Sequence, residues 1–115
     1  MTGKSPVPLE FYDDEAGDPR ARGGPGRDLL ARFLESDVQG SAAHGREILA
    51  AIDRVTAGKE ARWERTGNAY TLVLRPGGAA IEPEMDENAA PLHLPLAELR
   101  QAVAGWVAHV GERRR

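Results

Sequence analysis

Few residues of this 115-residue chain are of a type and spacing that could do chemistry. The densest group is Glu82-Pro83-Glu84-Met85-Asp86-Glu87, which sets four carboxylates within a short stretch. Paired carboxylates work as general acid and base only where a water-excluded cleft raises the pKa of one of them. A strand edge running into a loop is the opposite environment. The run therefore reads either as a solvated edge protected from unwanted strand pairing, or as an acidic surface for a basic partner. In the second role, charge complementarity sets association rate and specificity more than affinity.

The histidines are His44, His93 and His109, and the chain has no cysteine. That composition removes disulfides, thiolate nucleophiles and thiolate metal ligands together. No Ser or Thr lies in a nucleophile-elbow or triad signature. His44 precedes Ile48 by four residues and reads as a helix-packing side chain. His93 alternates with Leu92 and Leu94 and should point away from them, while His109 falls on the polar side of the last helix. No local spacing makes a metal site of the three, so no cofactor or metal is expected.

Two glycine clusters invite a phosphate reading, and both fail it. Gly24-Pro25-Gly26-Arg27-Asp28 opens a helix, but lacks the third glycine of a dinucleotide fingerprint and places Asp28 where it would repel phosphate. Gly3-Lys4-Ser5 resembles the end of a P-loop without the upstream glycine and strand that loop requires.

A remaining cluster is Trp63 and Tyr70 flanking a hairpin turn, with Arg62 and Arg65 beside them. Aromatic and arginine side chains are enriched at binding hot spots, but aromatics on adjacent strands also fill cores. Arg113-Arg114-Arg115 could touch nucleic acid, and it equally suits a solvated helix C-terminus.

These side chains need elements to hold them. Residues 1–8 are patternless and expected to be mobile. Leu9 to Asp13 and Arg20 to Arg22 read as short strands around a turn containing Gly17. Asp28 to about Val38 reads as a helix with Leu29, Leu30, Phe33 and Leu34 on one face. Ser41 then suits the N-cap of a second helix, which carries Ile48, Leu49, Ile52 and Val55 and stops at Gly58.

After Gly58 the period changes to two. Trp63 to Leu74 reads as a β-hairpin turning at Thr66 to Ala69, with Gly67 and Asn68 as the residues most at ease with positive φ. Tyr70, Leu72 and Leu74 share one face of the returning strand; Thr71 and Val73 share the other. Ala79 to Glu84 gives a third strand, Leu92 to Leu94 a short fourth. Pro95 suits the first position of a last helix, along which Leu96, Leu99, Val103, Trp106, Val107 and Val110 form one apolar face.

The run Trp63-Glu64-Arg65-Thr66-Gly67-Asn68-Ala69-Tyr70-Thr71-Leu72, preceded by a helix ending at Gly58, resembles the YacL family of small bacterial proteins. Leu9-Glu10-Phe11-Tyr12, Gly17, Arg20 to Arg22 and Phe33-Leu34-Glu35 fit the same order, so the resemblance covers roughly residues 9–107. The connection Met85 to Pro91 is short beside the enterobacterial relatives. The resemblance implies this order of elements and a cytoplasmic bacterial setting; it carries over no catalytic residues.

With 41% apolar and 29% charged residues, the composition is that of a globular chain. The net charge of −3 disfavours a dedicated nucleic-acid binder. No stretch is long and apolar enough to span a bilayer, and no secretory h-region is visible at the start, so a cytoplasmic location is expected. The expected fold is one α+β domain over 9–112 with a basic tail at 113–115. It is an antiparallel three- to five-stranded sheet with two or three helices packed on one face. The expected function is non-enzymatic binding of a protein partner through Glu82, Glu84, Asp86, Glu87, Arg62 and Arg65. Two alternatives are an immunity protein that neutralises a toxin through its acidic surface, and a ribosome- or RNA-associated factor. A homodimer is compatible with the amphipathic helices, whereas a membrane partner is not expected.

Overall fold

The structure, a computed structural model, describes residues 9–24, 26–84 and 88–113. Strands β1 (Glu10–Asp13) and β2 (Pro19–Arg22) form a separate antiparallel hairpin. Strands β3 (Trp63–Thr66), β4 (Tyr70–Arg75), β5 (Gly78–Pro83) and β6 (Leu92–Leu94) form a four-stranded antiparallel meander in that order. Three helices, α1 (Asp28–Phe33), α2 (Ala42–Thr56) and α3 (Leu96–Arg113), pack on one face of the meander. The β1–β2 hairpin packs on α1 and α3. This is the α+β arrangement expected from the change of hydrophobic period at Gly58.

Alternation along β4 sorts the side chains between the two faces. Leu72 and Leu74 point to the helices and join Ala79, Ile81 and Leu94 in the core. Against them lie Leu30, Phe33 and Leu34, Ile48 and Ile52 of α2, and Leu99, Val103, Trp106 and Val110 of α3. Burying each such side chain contributes about 1.5–3 kcal/mol. The apolar arc read from α3 is therefore the arc it buries.

The helix ends obey local chemistry. Ser41 Oγ accepts a hydrogen bond from the His44 backbone N–H at 3.1 Å, the N-cap its position predicts. At the far end Gly58, at φ 79°, closes α2: its N–H donates to the Val55 carbonyl, and the Lys59 N–H donates to the Arg54 carbonyl. The start of α3 differs by one residue from expectation. Pro95 precedes the helix and its carbonyl accepts from Leu99 N–H, so it caps α3 rather than occupying the first helical position.

The first helix also departs from a regular α-helix. From Leu34 to Val38 it widens into a π turn, in which Gln39 N–H reaches the Leu34 carbonyl at 2.8 Å. Gln39 then adopts φ 57° and ψ −145°, a strained conformation for a residue with a Cβ. Its carbonyl accepts the buried Trp106 indole N–H at 2.6 Å, so α3 holds the break in place.

Candidate functional site

The side of the meander away from the helices presents Glu64 and Thr66 from β3, Thr71 and Val73 from β4, Ala80 and Glu82 from β5, and His93 from β6. Over part of this face lies an open groove of about 590 Å³, with Val73, Ala80 and Gly78 along it and Arg75, Glu82, His93 and Pro95 around them. The acidic end is built on hydroxyl chemistry. Thr71, 3% exposed, donates to Glu84 Oε2 at 2.6 Å, and Thr66 and Thr71 share a hydrogen bond of 2.9 Å. Glu84 N–H also donates to the Ala69 carbonyl. Glu84 is thus tied into the end of the sheet. The Glu82 side chain, opposite Thr71, makes no hydrogen bond or ion pair among the described residues. Asp86 and Glu87, the other two acids of the run, lie outside the described residues.

The two arginines of the hairpin do not form one patch. Arg62 pairs with Glu64 at 2.7 Å. Arg65, three residues on, falls on the helix-facing side with Trp63, pairs with Glu47 of α2 at 2.8 Å and lies 5.6 Å from the Trp63 ring centre. Its hydrogen bond and charge hold the Glu47 carboxyl below its ordinary range. Trp63 and Tyr70 are both partly buried against the core. The six residues singled out in the sequence therefore divide. Glu82, Glu84 and the Arg62–Glu64 pair share the outer side of the sheet, Arg65 braces the sheet to α2, and two are undescribed.

The histidines are dispersed over α2, β6 and α3, and among the described residues no group of three or more His, Asp or Glu is placed to hold a metal. His93 is exposed beside the groove, as alternation predicts. His109 corrects the sequence reading. Its side chain is 20% exposed, lies 3.0 Å from Asp13, and packs beside Phe11 and Trp106. The β1–β2 hairpin covers the helix side that periodicity assigned to solvent.

The residue that sequence reasoning missed is Asp37. Its buried carboxylate reaches from the π turn to the β3–β4 turn, where Oδ1 accepts from Ala69 N–H at 3.1 Å and Oδ2 from Tyr70 N–H at 3.2 Å. Ser36 Oγ donates to the same carboxylate, and Asn68 Nδ2 donates to the Ser36 carbonyl at 2.8 Å. Neither Gly67 nor Asn68 has positive φ, contrary to expectation. Gly67 is needed for space: a Cβ there would overlap the Asp37 carboxylate. A signal was present, since Asp37 continues the buried stripe of Phe33 and Leu34 at helical spacing and an acid on such a stripe must have partners.

With this order of elements established, the comparisons with known proteins are decisive at one level. Residues 8–92 match the uncharacterised protein family UPF0231. The chain belongs to that family. A UPF0231 protein of Cronobacter sakazakii (strain ATCC BAA-894) is 35% identical over 65 residues, 56% of this chain and 53% of the relative. The chain thus spans about half the length of the curated relative it matches. No solved structure matches it. The match bears out the resemblance carried by the Trp63–Leu72 hairpin and the elements before it, and it ends just as β6 begins. For this UPF0231 protein, family membership indicates no activity. Among the described residues no helix is long and apolar enough to cross a membrane.

Proposed function

We propose that this UPF0231 protein acts by binding a basic protein partner on the outer face of its four-stranded sheet, and not by catalysis. The observation that carries this reading is the state of Glu82. Its half-buried carboxylate lies on the side of the sheet away from the helices, beside a groove floored by small apolar residues, and among the described residues no cation takes its charge. Of the nearby charges, Arg62 pairs with Glu64, Arg65 with Glu47, and Glu84 accepts from Thr71, which leaves Glu82 and Arg75 as the charges lining the groove. An enzyme reading finds less support. The best-aligned hydroxyl and carboxylate, Thr71 and Glu84, are joined without an imidazole, and the hydroxyl is buried. An RNA reading through Arg62 and Arg65 also weakens, because each has an acidic partner and they lie on opposite sides of β3. An immunity protein that neutralises a basic toxin is one form the proposed role can take.

The test is a pull-down from a bacterial lysate, with the wild type run beside Glu82→Lys and beside Glu15→Lys on the distant hairpin turn. The expected result is one stoichiometric protein held by the wild type and by Glu15→Lys, and released by Glu82→Lys and by high salt. A partner held equally by all three would sink this surface. Ribosomal particles or RNA in its place would transfer the role to the basic residues.

A further inference from the structure

Behind the β3–β4 turn, Arg65 presents a donor that the protein does not satisfy. Nη2 is engaged by Glu47, but Nη1 is buried and has no hydrogen-bond partner among the described residues. A buried guanidinium N–H without an acceptor is costly, and such groups are normally met by protein or by an ordered water. Arg65 also lines a small, partly open space of about 10 Å³, with Phe33, Ile48 and Leu72 as its apolar lining and Asp37, His44 and Gly67 at its border. That volume is the lower limit for one water molecule, and a buried water needs two or more polar partners.

We propose that this space is a binding site for a single internal water that accepts from Arg65 Nη1 and bridges it to the Asp37 carboxylate or the His44 imidazole. Charge favours water over an ion. An anion would face the Asp37 carboxylate, and a cation would face the guanidinium. Asp37 has acceptor capacity left, since each of its oxygens carries more than one acceptor site and the Tyr70 N–H is the one protein donor found on Oδ2. The same water would join three segments that are remote in sequence: the π turn carrying Asp37, α2 carrying His44, and β3 carrying Arg65. It is a different place from the outer sheet face and stands or falls independently of the partner.

The test uses the full chain in two ways. A high-resolution crystal structure should show one ordered water within hydrogen-bond reach of Arg65 Nη1 and of Asp37 or His44. Deuteron magnetic relaxation dispersion should count one long-lived water in the wild type, and that water should be lost in Arg65→Lys, which keeps the charge but has no nitrogen at the Nη1 position. Should Arg65→Lys fail to fold, Arg65→Met, which keeps the apolar stem and removes every donor, supplies the same comparison. A dry cavity with Nη1 directed at the Trp63 ring, or the same water count in wild type and folded variants, would overturn the proposal.

Discussion

The two hairpins of this protein turn by different means. The β1–β2 turn is held by bonds within its own sequence: Asp14 Oδ1 accepts from the backbone N–H groups of Ala16 and Asp18 at 2.9 Å, Gly17 N–H donates to the Asp14 carbonyl, and Gly17 sits at φ 87°. These hydrogen bonds span at most four residues. The β3–β4 turn depends on Asp37, roughly thirty residues away, whose carboxylate accepts the Ala69 and Tyr70 N–H groups. The first kind of turn is written in local backbone preference. The second closes with its own Gly67 N–H to Tyr70 carbonyl bond, but its Ala69 and Tyr70 N–H groups meet the Asp37 carboxylate only when the π turn of the first helical region is docked behind it, so part of its stability belongs to the assembled layers.

The largest expected effect comes from breaking the remote clamp. Asp37→Ala leaves two backbone donors without their acceptor in a site that excludes most water, and should destabilise the protein by about 3 kcal/mol in urea unfolding. Next comes Gly67→Ala, whose methyl group would occupy the place of the Asp37 carboxylate; about 2 kcal/mol is expected. The two substitutions should be strongly non-additive in a double-mutant cycle, because the alanine of the first removes the clash of the second. Additive effects would show that Gly67 serves the backbone rather than Asp37.

On the other hairpin, Gly17→Ala strains a left-handed residue and should cost about 1 kcal/mol. Its loss of amide protection by hydrogen exchange should stay within β1 and β2. The Asp37→Ala loss should instead extend across β3 and β4.

The smallest effect is electrostatic. Arg65 holds the Glu47 carboxyl low, and Arg100 does the same for Asp53. A depressed folded-state pKa contributes stability above the unfolded carboxylate range, and that contribution is lost as pH falls through the folded value. Melting temperature should therefore fall more from pH 5 to about pH 3 for the wild type than for Glu47→Gln/Asp53→Asn, with little difference in slope above pH 5. Both acids are exposed, so the difference should be modest.

The elements that were legible in the sequence are those set by near neighbours. The Ser41 cap, the Gly58 stop, the apolar arc of α3 and the alternation of Tyr70 to Leu74 each follow from spacing within a few residues, and each stands in the structure. What spacing cannot carry is the identity of a partner from another element. His109 was assigned to solvent because helix periodicity does not know that the β1–β2 hairpin will cover it. Arg65 was grouped with Arg62, although one braces α2 and the other stays outside.

By itself, then, the sequence determined where chains turn, where helices begin and end, and which stripe of each is apolar. These are consequences of backbone sterics and water exclusion acting over a few residues. Tertiary structure alone decided that Asp37 clamps a distant hairpin, that Trp106 restrains the strained Gln39, and that Arg65 braces the sheet to α2. Each of these pairs groups far apart along the chain, and only the packing of the layers brings a donor to its acceptor.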